Sequence, residues 1–241
     1  YYSVFLRSSP NNTVIDCNIS SSKYGVRLLY SQTSSSLIKN CTISNNNQGF
    51  APRYSSNYIM NCTMASIYYD FYLDDDSHAT PLNTTFTKTK VYFADASSTL
   101  TVKYYLHTKL INSTSSPISG ATVRVQDNAN GTFDHNYTTT SDGWVRWIEC
   151  TEYWQNKTNT IYYTPHNVSA SKTGYATNYS EPNMDGTKEI TITLSPSAGL
   201  ISHAPIYING NSNFTSANGV TSGNGTADNP YIIENWDINA S

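Results

Sequence analysis

The hexapeptide Ile38-Lys39-Asn40-Cys41-Thr42-Ile43 is rewritten several times along this chain. Val14-Ile15-Asp16-Cys17-Asn18-Ile19 precedes it, and Ile59-Met60-Asn61-Cys62-Thr63-Met64 follows it. Pro81-Leu82-Asn83-Thr84-Thr85-Phe86 is a looser fourth copy, and Ile233-Glu234-Asn235-Trp236-Asp237-Ile238 is a fifth, far downstream. Asp16, Asn40, Asn61 and Asn83 are separated by 24, 21 and 22 residues. A second motif keeps the same phase: Tyr24-Gly25-Val26, Gln48-Gly49-Phe50 and Tyr69-Asp70-Phe71, with Tyr2-Ser3-Val4 one period earlier. Two motifs locked in phase define a structural repeat.

A period of about 22 residues fits one coil of a right-handed parallel β-helix, each coil lying on the last at the strand spacing of about 4.8 Å. Alternation within each copy then predicts three inward stacks: Ile19, Ile43, Met64 and Phe86; Val14, Ile38 and Ile59; and Cys17, Cys41 and Cys62. The Asn column is expected in the tight turn between two strands, facing inward, with stacked amides satisfying one another. A lone coil buries too little to stand, so neighbouring coils must supply the rest.

Composition narrows the function classes. Only 13% of the 241 residues are charged and the net charge is −3, with no run of Lys or Arg. Nucleic-acid binding needs clustered cations to neutralise phosphates, so it is not expected. No apolar run reaches the 18 or so residues of a membrane span. The chain opens in mid-coil without a signal peptide, which reads as a piece of something longer. Cys17, Cys41 and Cys62 share a column where a thiol serves as a small apolar group. Cys150 stands apart, so neither a disulfide framework nor a metal shell is expected.

The β-helix is expected over residues 1–95, with a boundary at 96–98. From Thr99 the pattern becomes alternating strands separated by turns such as Ser141-Asp142-Gly143, the signature of an antiparallel sandwich over 99–196. Pro117-Ile-Ser-Gly120-Ala121-Thr-Val123-Arg-Val125, followed by Ser141-Asp142-Gly143-Trp144, resembles the carboxypeptidase-regulatory-like immunoglobulin-type modules. Residues 197–229 read as a Gly/Asn-rich connection and 230–241 as a half-coil of a further β-helix. Ala204-Pro-Ile-Tyr-Ile-Asn-Gly210 and Gly225-Thr-Ala-Asp-Asn-Pro230-Tyr-Ile-Ile-Glu-Asn235-Trp resemble the lead-in to the repeats of archaeal surface proteins. Those repeats are similar to the NosD-like (PbH1) group. The resemblances imply an all-β, modular, extracellular archaeal cell-surface protein, such as part of a fibre, sheath or S-layer-like coat.

Catalysis is not expected. Glycoside hydrolysis needs paired carboxylates about 5–9.5 Å apart in a groove, and acidic residues within the coils are few. Asp74-Asp75-Asp76 is a candidate Ca²⁺ loop, since that ion takes several oxygen ligands, though consecutive surface Asp are commonly just solvated. No other cofactor is implied. The five His are scattered without triad or metal spacing. The 20 Tyr fit either strands or sugar-stacking platforms, so an adhesin or carbohydrate-binding module is the alternative reading.

Asn-X-Ser/Thr acceptor sites are dense. Asn11, Asn18, Asn112, Asn130, Asn136, Asn156, Asn167, Asn178, Asn213 and Asn224 are the expected N-glycan sites; Asn40, Asn61 and Asn83 are discounted as inward turn residues. Finally, placing a second copy after the first puts its Asp16 one coil, 22 residues, beyond Asn235. Head-to-tail self-assembly is therefore expected. Tyr231, Ile233, Trp236 and Ile238 of one unit would complete the coil begun by Tyr2, Val4 and Leu6 of the next, with Trp236 filling the Cys column.

Overall fold

The structure, a computed structural model, describes residues 1–9, 11–129, 133–197, 199 and 201–238. The first part winds β1 (Tyr2–Arg7), β2 (Thr13–Ile15), β3 (Asn18–Ser20), β4 (Tyr24–Lys39), β5 (Thr42–Ser44), β6 (Gln48–Met60), β7 (Thr63–Ala65), β8 (Tyr69–Leu73), β9 (His78–Leu82) and β10 (Val91–Phe93) into about four coils of a parallel β-helix. Every pairing among these strands is parallel: β1 on β4 on β6 on β8 and then β10, and β3 on β5 on β7.

The predicted stacks are in register. Ile19 lies beside Ile43 and Ile43 beside Met64, while Val14, Ile38 and Ile59 form the second row. Ile38, Ile43 and Ile59 are fully buried, with Phe50 and Phe71 filling the second motif's column. The glycine between them has a steric reason. A Cβ on Gly49 would lie 2.5 Å from Ser66 Oγ and 2.9 Å from the Asp70 carbonyl, so the coil can close only around a residue without one.

Then follow β11 (Thr99–Asn112), β12 (Thr122–Gln126), β13 (Asp134–Thr138), β14 (Trp144–Gln155), β15 (Thr160–Tyr162), β16 (Asn167–Ser171), β17 (Asn178–Ser180) and β18 (Lys188–Leu194). One sheet holds β11, β14, β15 and β18; the other runs β13-β12-β16-β17. Both contribute to a second core of Leu106, Leu110, Val123, Val125, Ile148, Val168 and Ile192. The pairings are antiparallel except one: β18 runs parallel to β11, which departs from the fully antiparallel expectation. Pro165 lies between β15 and β16 and keeps them apart.

β11 joins the two parts. Its first residues extend the coil stack, pairing in parallel with β9 (Thr99 beside His78, Leu100 beside Ala79), and its remainder pairs with β18. Leu100 and Val102 therefore belong to the β-helix core and Leu106 and Leu110 to the second. Around this shared strand the Lys88 ammonium bonds the buried Glu152 carboxylate, with Lys88 also 5.3 Å from the Tyr153 ring. Thr187 Oγ1 donates to Asn83 Oδ1 at 2.9 Å, and Lys157 Nζ to the Ala94 carbonyl at 2.9 Å.

Beyond 200, β19 (Ile201–His203), β20 (Val220–Ser222), β21 (Ile232–Ile233) and β22 (Trp236–Ile238) pair with one another, β19 with β22 in parallel and β20 with β21 antiparallel.

Candidate functional site

The corner of each coil is the first place where side chains are spent on something other than a core. Asp16, Asn40, Asn61 and Asn83 all sit in the left-handed region (φ 55, 53, 52 and 47), which Asn and Asp tolerate better than most residues. That geometry turns the corner side chain outward and the next one inward. The inward expectation for Asn40, Asn61 and Asn83 is thus corrected: Asn40 and Asn61 are exposed and Asn83 half-buried. The amides still stack, Asn40 Nδ2 donating to Asp16 Oδ1 at 3.0 Å and Asn83 Nδ2 to Asn61 Oδ1 at 2.9 Å. Inside the corner, Cys17, Cys41 and Cys62 are free thiols, and Thr84 continues their column, donating to the Ile59 carbonyl at 2.8 Å. Burial pushes the Cys62 thiol up to about 11 and that of Cys150 up to about 12, so neither is a nucleophile.

Among the expected glycan sites, Asn11, Asn18, Asn136, Asn167, Asn178 and Asn224 are exposed, and Asn112, Asn156 and Asn213 are half-buried; Asn130 lies outside the described residues. Asn18, Asn136, Asn167 and Asn178 stand in strands rather than in turns. Three sites share a particular shape. Asn112 Oδ1 accepts from Thr114 N–H (3.0 Å) and Thr114 Oγ1 (2.8 Å). Asn156 Oδ1 accepts from Thr158 N–H (3.0 Å) and Oγ1 (3.3 Å), and Asn224 Oδ1 from Thr226 N–H (3.2 Å) and Oγ1 (2.8 Å). Donation to the amide oxygen draws electrons from the carboxamide and makes its N–H easier to deprotonate, the requirement for attack by that nitrogen.

The carboxylates are already occupied. Asp74, Asp75 and Asp95 converge, their oxygens within 4.8 Å of one another, whereas Asp76 of the predicted Ca²⁺ loop turns to His78 at 3.6 Å. Arg53 pairs with Asp75, and Arg27 and Arg53 each approach Asp74 at 3.8 Å. Burial, then the Asp75 charge, pushes the Asp74 carboxyl up. Burial raises Asp95 too, but hydrogen bonds from Ser97 and Ser98 outweigh it and hold that carboxyl below its usual range. Asp70 is buried near the start of β8 and accepts from the Ser66 N–H (2.7 Å) and the Thr87 N–H (2.8 Å), a structural task.

The outer aromatics of the β-helix form ladders. Tyr2 stacks on Tyr24 (5.2 Å), Tyr72 on Tyr92 (5.0 Å) and Tyr30 on Tyr54 (5.6 Å), so these ring faces are turned to each other rather than to a ligand. One aromatic that sequence reasoning passed over behaves differently. Trp147 on β14 has φ 63 and is 66% exposed. A bulky residue there costs of order 1–2 kcal/mol. The available signal was the spacing of Val145 and Ile148, both inward, which forces Arg146 and Trp147 outward together and marks a bulge.

Strand, left-handed corner, strand, stacked at one-coil intervals: this geometry decides the family comparison. Residues 1–106 match the family described as right handed beta helix region. No curated protein matches the chain. The right handed β-helix match ends at Leu106, where β11 passes from the first core to the second. The corner recurs outside it. Asn235 has φ 64 between β21 and β22, as Asp16 does between β2 and β3.

The seven expected assembly residues fall into two groups that no strand pairing brings together among the described residues. Val4 and Leu6 pack on the β-helix core from β1 and stay part-exposed, with Tyr2 beside them. Tyr231 stacks on Phe214 at 4.5 Å, and Trp236 Nε1 donates to the Gly219 carbonyl at 2.6 Å while its ring meets His203. Ile233 and Ile238 remain exposed, as does Ile201 beside Trp236 in the β19–β22 pair. No helix among the described residues is long and apolar enough to cross a membrane.

Proposed function

We propose that this chain is a non-enzymatic structural unit of a glycosylated extracellular fibre, sheath or S-layer-like coat, of the kind built by the archaeal surface proteins its repeats resemble. The right-handed β-helix is the stiff rod, and the two packed sheets are an immunoglobulin-like spacer. The observation that carries this reading is the joint: β11 runs without a break from the coil stack into the second core, braced by Lys88–Glu152 and Thr187–Asn83. A hinge would need an exposed linker with few contacts; here a strand paired with neighbours in both parts crosses instead. Such a joint transmits bending and suits a scaffold.

Lengthwise growth uses the corner at Asn235. Its flanking strands present Ile233 and Ile238, and β19 beside them presents Ile201, apolar side chains that a further coil would cover. In the proposed contact, β1 of the next unit stacks there with Tyr2, Val4 and Leu6. The residues from 239 onward, which complete the expected half-coil, lie outside the described residues. The contact is heterologous, so it propagates as a filament. Sugars on the exposed acceptor sites would hydrate its flanks.

Electron microscopy of the recombinant chain, and of a chain carrying two copies in tandem, tests the proposal. The tandem is expected as one straight rod of twice the single length, with Ile233→Lys/Ile238→Lys between copies restoring a kink. Two freely jointed particles in the unaltered tandem, together with no lengthwise association of the single chain, would overturn it.

A further inference from the structure

The outer face of the β11–β14 sheet carries a residue for which the filament has no use. Trp147 is 66% exposed, yet its backbone is pinned in the left-handed region, where a bulky residue persists only when its surroundings over-determine it. Those surroundings come from β11. The buried His107 accepts the Trp147 backbone N–H at Nδ1, 3.2 Å away. The rings of His107 and Tyr105 meet the indole nearly at right angles, with centroids 4.8 and 5.1 Å from it. A register shift between Leu106 and Thr108 supplies the bulge that lifts the ring off the sheet. The indole is therefore held in place before any ligand arrives, and little ordering cost remains to be met on binding.

We infer that Trp147 is the stacking platform of a saccharide site that takes a neutral pyranose ring of an oligosaccharide. The electron-rich indole face complements the polarised C–H bonds of a pyranose face. The groups in register around it carry both signs. Arg146 precedes it, Glu149 lies two positions on, Lys103 sits 3.5 Å from Glu149, and Glu189 is paired with His107 across the next strand. Fixed donors and acceptors of both signs fit the hydroxyls of a neutral sugar better than an acidic or a basic ligand. A protein partner would want a broad apolar centre to its contact, and among the described residues the exposed apolar side chains of this sheet, Trp147 on β14 and Ile161 and Tyr162 on β15, stand apart. The Trp144 ring is covered by Arg146 at 4.0 Å. Tyr162 pairs with Tyr153, roughly 20 Å along the strand from Trp147, and Tyr179 belongs to the other sheet.

The inference stands apart from the filament reading, and its test is separate. The indole N–H resonances of the ¹⁵N-labelled chain are followed while cello-, malto- and manno-tetraose are added in turn at millimolar concentration. At least one sugar is expected to shift the Trp147 signal in a saturable way. Followed by titration calorimetry, which needs no Trp147 resonance, Trp147→Ala should weaken that binding by at least about tenfold, and Glu189→Gln or Glu149→Gln by less. Trp147→Asn, which tolerates the left-handed backbone, serves as the second variant: it should lose binding without a lower unfolding midpoint. No saturable shift with any of the three sugars, or wild-type affinity retained in Trp147→Ala and Trp147→Asn, would overturn the inference.

Discussion

His166 makes the second core acid-sensitive, by an amount the structure sets. Its side chain is buried and, among the described residues, neither ring nitrogen has a hydrogen-bond partner. Phe133 meets its ring at 6.2 Å, and the Asp127 carboxylate favours its charged form. Burial dominates and pushes its pKa down to about 4, against about 6.5 in the unfolded chain. Below pH 6.5 the unfolded state binds the proton and the folded state does not, so stability is complete above that value and drains as pH falls towards 4. The full shift is worth about 3 kcal/mol, and about 2 kcal/mol of it is lost between pH 7 and pH 5. Equilibrium urea unfolding at those two pH values reads the loss directly. In His166→Leu the pH-dependence should be flatter by that amount, and the variant should cost little at pH 7, because an apolar ring-sized group leaves no new polar atom unpaired. His107, also pushed down by burial, supplies a background common to both proteins. An identical pH slope in wild type and variant would refute the reasoning.

Four further outcomes are expected. In a glycosylating host, peptide mass spectrometry should find sugar at Asn112, Asn156 and Asn224, and none at Asn40, whose Nδ2 already donates to Asp16. Gly49→Ala should destabilise the β-helix by about 2 kcal/mol or more in thermal unfolding, because the added carbon meets Ser66 and the Asp70 backbone; Ile43→Ala should cost about 3 kcal/mol by emptying a fully buried site. A thiol reagent added to the native protein should label Cys17, at the open end of its column, while Cys41, Cys62 and Cys150 react only after unfolding.

The coils were legible because their signal is periodic: Ile19, Ile43 and Met64 meet in register as their spacing requires. Which way the corner faces was not, because a column of Asn looks the same in sequence whether its amides stack inside or outside. The deciding fact is the left-handed backbone, and spacing carries no dihedral angle. The shared strand was equally hidden. Thr99–Asn112 reads as one alternating strand, and nothing in its alternation says that Leu100 and Leu106 serve different cores. Trp147 escaped notice because Trp has no preference for the left-handed region; there the surrounding packing overrides local propensity. The Asp74–Asp75–Asp95 group needed folding to bring in a residue from one coil later.

The strand β11 also bears on how such chains can be rearranged in evolution. Genes for beaded proteins exchange domains as cassettes, and exchange works when the cut falls where no buried contact is severed. A cut at 96–98 would leave the last coil without the lid that Leu100 and Val102 provide, and would strip the following unit of the front half of its longest strand. The β-helix and the two-sheet unit are therefore expected to move together, and added coils to be accepted upstream, between one coil and the next.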